Sequence, residues 1–331
     1  MTPKENLLAL LHGKKQDAFV NEWEPYGNVF DPLMGATLTA KLGETVKDPW
    51  GVTVYWGEDE PGVMPIINED TKVLKDITEW REYVHAPNLA EMDLDWSAAR
   101  EQASQIRDQG RLAMSLMATG LFEQSHYLMG FEDTLMNLLM EPEDMHDFLD
   151  YLLEYKMTYA RLLVENLHPD ILLHHDDWGS KTSLFMSPDT WREFFKDRYK
   201  RFFDYFHENG VLIMHHSDSY CEPIVQDMID IGIDIWQGVL PTNDIPKLQR
   251  EFGKKIVFMG GIDSAIDMKD YDETQIREEV RRACREYAPG GSFIPSITYG
   301  AAGSIFPGVD DIVMDEINKQ NAIYFNHVFS R

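Results

Sequence analysis

Val211-Leu212-Ile213-Met214-His215-His216-Ser217-Asp218 is an apolar run of strand length that ends abruptly in imidazoles, a hydroxyl and a carboxylate. Asn209-Gly210 just upstream reads as a helix stop, and Glu222-Pro223 downstream reads as a helix start. The local unit is therefore helix, strand, polar tail, helix. It recurs at residues 112–117, 171–173, 233–236, 256–259 and 292–295, each a short apolar run bounded by turn residues. Between the runs lie amphipathic stretches with legible ends. Glu141-Pro142 opens one in which Met145, Phe148, Leu149, Leu152, Tyr159, Leu163 and Leu167 recur at helical spacing. Ser187-Pro188 and Asn243-Asp244 open two more, the latter closing at Phe252-Gly253.

Strands that alternate with helices pair in parallel, because each crossover returns the chain to the same end of the sheet. Adding residues 17–23 brings the count to at least seven strands, which favours a closed (β/α)8 barrel in one domain over residues 1–331. Residues 48–67 break the rhythm. Val52, Val54 and Trp56 alternate as in a hairpin and Gly57 to Gly62 supplies its turn, so this segment is expected to be an insertion serving as a lid or a dimer surface.

Composition narrows the function. The 331 residues are 44% hydrophobic, enough for a large core, and 57 acidic side chains against 30 basic ones give a net charge of −27. Such a surface repels phosphate, which argues against DNA, RNA and anionic membranes as partners. No apolar run approaches the roughly 20 residues of a membrane span, and the N-terminus lacks the features of a signal peptide; a cytoplasmic protein is expected. Two cysteines, Cys221 and Cys284, make no disulfide framework. Cys284 falls on the helical stripe Ile276, Val280, Cys284, Tyr287 and reads as core.

In a barrel of this kind the reacting groups stand at the C-terminal ends of the strands. The residues just after each apolar run are polar: Glu24 and Tyr26 after Trp23; Thr119 and Glu123; His174, His175, Asp176, Asp177 and Trp178; His215 to Asp218; Gln237; Ser296, Thr298 and Tyr299. Residues two apart on an extended chain share a face, so His216 and Asp218 can converge on one ion. Cys221, just before a helix start that favours a thiolate, is a further ligand candidate, and the set suits zinc. The plain alternative makes His216 a hydrogen-bonded barrel residue and Cys221 a small buried hydrophobe. One of Asp176 and Asp177 should reach the mouth beside His174 or His175, as a metal ligand or an acid. Tyr299 could donate to a substrate oxygen, while Trp23, Glu24, Tyr26, Trp178, Trp236 and Gln237 are candidates for a pocket lining.

The span Ser187-Pro188-Asp189-Thr190-Trp191 with Phe194-Phe195, the His216 strand end, Ile231-Gly232-Ile233-Asp234 and Met259-Gly260-Gly261-Ile262-Asp263 resemble the uroporphyrinogen decarboxylase superfamily. The resemblance implies a single (β/α)8 barrel, in a group whose members are often dimeric. It also implies one of two activities, tetrapyrrole decarboxylation or zinc-dependent methyl transfer linked to a corrinoid. The decarboxylases grip substrate carboxylates with an arginine-rich N-terminal motif, and the matching stretch here, Phe19 to Tyr26, has no arginine. Their Gly-His-Gly is replaced by Thr298-Tyr299-Gly300. The methyltransferases carry a His-x-Cys pair, here His216-Ser217-Asp218, and a later cysteine whose place here falls at about Gly291, so both thiolates are missing.

The resemblance thus implies a metal held by His216, Asp218 or Cys221, and Asp177, with Asp176, Asp177, His175 and Tyr299 as catalytic candidates. The expected reaction takes a methyl group from a small methoxylated or methylated donor and passes it to a corrinoid (cobalamin) protein. A decarboxylase of a tetrapyrrole or smaller acid, and a non-catalytic corrinoid or porphyrin carrier, are the rivals.

Overall fold

The computed structural model describes residues 1–37, 40–57, 63–297 and 305–325. Its strands are β1 (Tyr26–Val29), β2 (Thr45–Lys47), β3 (Thr53–Tyr55), β4 (Met64–Pro65), β5 (Leu112–Met117), β6 (Ile171–His175), β7 (Leu212–His216), β8 (Ile235–Val239), β9 (Val257–Ile262) and β10 (Phe293–Ile297). Seven of them form one sheet in the order β1-β5-β6-β7-β8-β9-β10. Every pair in it is parallel, as crossover helices require.

The sheet curls into a barrel. The Tyr26 hydroxyl on β1 lies 3.8 Å from the Met259 sulfur on β9. Those strands stand five places apart, so a flat sheet would hold them about 24 Å from each other at about 4.8 Å per strand. Alternation then sorts the side chains. Ile171 and Leu173 on β6, Met214 on β7, Ile235 on β8, Met259 on β9 and Ile294 on β10 fill one interior cluster. Their neighbours Leu172, Ile213, Trp236, Phe258 and Phe293 belong to the larger core beneath the helices.

The first stave differs from expectation. Residues 17–23 are not a strand; β1 begins at Tyr26. Phe19 to Glu22 are nonetheless buried. Val20 joins the interior cluster, and Asn321 and Asn318 of the helix Val309–Tyr324 bond the Phe19 amide and the Asn21 side chain at 2.7 and 3.2 Å. The segment packs as an unpaired eighth element. β5 matches its apolar run, and β6 to β10 extend two or three residues further toward their C-termini than theirs, so His175, His216 and Gln237 are strand residues.

The insertion is an antiparallel sheet of β2, β3 and β4; residues 58–62, expected in its turn, lie outside the described residues. Trp50, Val52 and Val54 are buried, and Trp50 meets Tyr155 of the helix Pro142–Asn166 edge-on at 4.8 Å. Among the described residues no helix is long and apolar enough to cross a membrane.

Candidate functional site

The ends of β6 and β7 lie side by side, with His175 opposite His216, and β8 continues the row with Gln237 opposite His216. All three side chains fall on the inward face that alternation sets. Asp177 stands two residues beyond His175. Ligand atoms from His175, Asp177 and His216 lie within 4.8 Å of one another.

Each imidazole is held by a partner. His175 Nδ1 lies 2.8 Å from Glu123 Oε2, and a carboxylate only accepts, so Nδ1 carries the proton. His216 Nδ1 donates to the amide oxygen of Gln237, which in turn hydrogen-bonds Glu22. Both rings therefore leave Nε2 as the nitrogen for a metal, His175 once it sheds its second proton. They stack at 4.6 Å between centroids with 17° between their planes. Asp177 Oδ1 accepts from the backbone amide of Asp218 at 3.1 Å. Two imidazoles with their outer nitrogens tied off, plus a carboxylate, form the arrangement by which metal-binding histidines are held.

Charge in the cluster is unevenly shared. Burial opposes an imidazolium at His175, but Glu123, Asp177 and Asp176 outweigh it and raise the ring to about 10. Burial, reinforced by the charge on His175, lowers His216 to about 4. Burial and the Asp177 carboxylate push Asp218 up to about 7. Burial, then the Asp310 charge, lift the Glu22 carboxyl well above the usual range, against the bond from Gln237. Without a metal, one proton on His175 balances the carboxylates around it.

Several expected site residues are elsewhere. Asp176 points outward, where it accepts from the amides of Phe122 and Glu123 at 3.2 and 2.8 Å, from Trp178 Nε1 at 2.9 Å, and from the Tyr199 hydroxyl. It caps the helix Leu121–Met129, and the approach is so close that a Cβ at Gly120 would fall 2.2 Å from Asp176 Cβ. Burial and the charge of Glu123 still raise its carboxyl, to about 7. Asp176 is thus a structural cap and not an acid at the mouth. Trp178 is fully buried against His215, 4.1 Å between rings, and Trp236 donates to the Ser217 carbonyl at 2.9 Å; neither lines the mouth. His174 and His215 bond each other at 3.0 Å in the layer beneath the helices.

Cys221 is not in the converging set. Its sulfur lies 3.1 Å from Ser219 Oγ and 3.8 Å from Ser217 Oγ, and burial pushes the thiol up to about 12, the reverse of the thiolate expected at a helix start. Asp218 borders the cluster without joining it. The strand ends at His216, so the two-residue alternation that would have paired their side chains lapses.

Trp23 and Glu24 sit with Gly110 and Arg111 around a hollow at the opposite end, just before β5 begins. Tyr26 points into the packed interior. None of the three reaches the mouth, because the strand that bears Tyr26 starts there instead of ending there. Gln237 is buried behind His216 as its orienting partner and does not line a substrate surface. Tyr299 lies outside the described residues.

Two residues that complete the site have no role assigned from sequence, although Glu123 stands among the polar residues after the run 112–117. Glu22 ends the buried stretch that begins at Phe19, and Glu123 opens the helix after β5, but in the sequence each reads equally well as a solvated acid.

The sequence profile described as uroporphyrinogen decarboxylase (URO-D) matches residues 45–314. No curated protein matches the chain. Among solved structures, a methyltransferase from Methanosarcina mazei superposes with a TM-score of 0.69 over 96% of this chain and 99% of its own, at 17% identity. A sugar phosphate isomerase/epimerase from Parabacteroides distasonis, at 11% identity, covers 68% of this chain and 76% of its own with a TM-score of 0.33. On the extent of the profile match, with a barrel that agrees with it, the chain belongs to the uroporphyrinogen decarboxylase family.

Proposed function

We propose that this chain is a metal-dependent methyltransferase that moves a methyl group from a small methoxylated or methylated donor to a corrinoid carried by a partner protein. The observation that carries the reading is the convergence of His175, Asp177 and His216 at the C-terminal mouth. Two imidazoles and a carboxylate suit zinc with a fourth position left for a donor atom. When bound there, the metal supplies a Lewis acid for the oxygen that the methyl group leaves.

The chain's own contribution is positioning. Glu123 and Gln237 fix the two rings with Nε2 available. The Asp218 amide holds the Asp177 carboxylate in place. In the transfer the methyl–oxygen bond breaks, the methyl passes to the partner's corrinoid, and the electron pair stays on the donor oxygen. A positive charge at the cluster stabilises that oxygen most in the transition state, where its charge develops.

Decarboxylation of a polycarboxylate is the poorer fit. The stretch that bears the family's arginine clamp here buries Glu22 beside Gln237, so an acid stands where a cation would be needed. The two free cysteines fit a reducing compartment, and we place the reaction in the cytoplasm.

The test is methyl transfer to cob(I)alamin, free or on a partner protein, from a panel of methyl ethers and methylamines. The reading expects transfer by the metal-loaded protein and its loss in His216→Ala. Release of carbon dioxide from a carboxylic acid without metal would replace it with the decarboxylase. Tight corrinoid binding without turnover, indifferent to His216→Ala, would replace it with a carrier.

A further inference from the structure

Five cations meet at the end of the barrel opposite the mouth. A hollow of about 520 Å³ lies there, between the loop after the helix Pro3–Leu11, the loop that leads into β9 and the loop that leads into β10. Lys14, Lys15, Arg250, Lys254 and Lys255 line it, and all five are exposed. Its one acid is Glu251. The chain as a whole carries 57 acidic side chains against 30 basic ones, so the hollow reverses the ratio of its own sequence.

Many of the chain's other cations have carboxylate partners. Lys247, on the same helix as Arg250, holds Glu222 at 2.7 Å, and Arg277 holds Glu273 and Asp315 at 2.7 and 2.6 Å. Among the described residues none of the five cations of the hollow makes an ion pair, with Glu251 or with any other acid. Two acids of the neighbourhood are committed elsewhere. Asp230, which feels the charge of Lys255, is held by Lys196 at 2.8 Å. Asp234, in the adjoining hollow, is held by His207 at 2.9 Å and by the Ile213 amide at 2.8 Å. Like charges gathered without a counter-ion repel one another, and a bound polyanion relieves that repulsion.

The floor of the hollow is braced. Gln249 is 5% exposed, and its amide nitrogen donates to the carbonyls of Tyr287 and Gly291 at 2.8 and 2.7 Å. The Ser292 hydroxyl donates to the Gly253 carbonyl. Gly290 has to be bare for this, because a Cβ there would fall 2.4 Å from Gln249 Oε1. The loops before β9 and β10 are thereby tied together, and Lys254 and Lys255 stand on a fixed base.

We propose that this hollow is a second ligand site, which takes the polyphosphate group of a small molecule. Four of its five cations are lysines, which meet phosphate as point charges from several directions, whereas a flat carboxylate pairs best with the fork of an arginine. One phosphate is too small to answer all five; two or three linked ones reach them. No aromatic side chain lines the hollow, so a base has nothing to stack on and the phosphates are the part recognised. The net charge of −27 repels such a ligand at a distance, but charges more than about 8 Å away are largely screened at physiological ionic strength, and the five cations act in contact. A nucleic acid is still repelled, because it would lie across the acidic surface beyond the hollow. The site stands at the far end of the barrel from His175 and His216, so it leaves the mouth open and does not depend on the methyltransferase reading.

The test is calorimetric titration of chelator-treated protein, in which a phosphate cannot act by stripping metal, with inorganic triphosphate, ATP, orthophosphate and citrate. Triphosphate and ATP should bind alike, and orthophosphate and citrate at least about tenfold more weakly. The triphosphate affinity should fall between about 50 and about 200 mM salt. The double variant Lys254→Gln/Lys255→Gln should weaken triphosphate by roughly tenfold or more, and Lys14→Gln/Lys15→Gln repeats the test from the other wall. These are exposed positions, so folding is not at stake. Lys75→Gln, at an exposed lysine that does not line the hollow, should leave the affinity unchanged. Failure of triphosphate to bind, citrate or orthophosphate bound as tightly, ATP bound more than about tenfold tighter than triphosphate, or an equal loss in Lys75→Gln would overturn the proposal. Self-association of the chain that the double variant abolishes, with no triphosphate bound, would overturn it in favour of the acidic surface of a second copy.

Discussion

The imidazoles of His175 and His216 lie nearly parallel, 4.6 Å apart, each with its Nδ1 engaged by a side chain of a different element. Stacked rings of which one is protonated repel a second proton, so the pair holds either one proton or a metal. The consequences of that relationship can be measured.

Replacing the orienting carboxylate should weaken the metal site without removing a ligand. Glu123→Gln is expected to lower zinc affinity by about ten- to a hundredfold, the usual cost of losing such a partner. Competition with a chromogenic chelator reads this directly, and an affinity equal to wild type would show that Glu123 does not set the ring.

The metal-free protein should show a pH signature. The folded His175 titrates at about 10, above its ordinary 6.5. Its stabilisation is therefore complete below about pH 6.5 and is lost as the pH rises through about 10. The gain is at most a few kcal/mol, because 29% of the side chain stays open to screening solvent. Thermal unfolding of chelator-treated protein should find the advantage of wild type over Glu123→Gln shrinking from neutral to alkaline pH. An advantage that grows with pH contradicts the assignment.

Cys221 should be dispensable for metal. Its sulfur faces Ser217 and Ser219, so Cys221→Ala is expected to bind zinc as wild type does, at a stability cost of about 1–2 kcal/mol for the lost packing. Elemental analysis settles this, and loss of the metal would return the thiol to the ligand set.

Asp176 should matter to folding. Asp176→Ala strips the acceptor from four donors, two of them backbone amides at a helix start, and should cost about 3–5 kcal/mol in urea unfolding. A cost below about 1 kcal/mol would mean that the cap is idle.

Particular residues explain why part of the site is legible in the sequence and part is hidden. The run from Ile171 to Leu173 sets a face, and counting by two from it correctly puts His175 inside and His174 outside. The same count places Asp176 outside with His174. Continuing it from His216 to Asp218 misleads, because the chain turns after His216 and Asp218 presents its backbone, not its carboxylate, to Asp177. The first strand is hard to read for a different reason. Tyr26–Val29 is four residues long, and its Gly27 is there for packing: a Cβ would fall 2.9 Å from Ile106. Phe19, Val20 and Trp23 just before it carry the stronger apolar pattern but no pairing.

The most direct test of the account is X-ray absorption at the zinc edge on the metal-loaded protein. It predicts a first shell of nitrogen and oxygen at about 2.0–2.2 Å, with imidazole scattering from His175 and His216 that is lost in His216→Ala. A sulfur shell at about 2.3 Å, or a spectrum unchanged in His216→Ala, would contradict it.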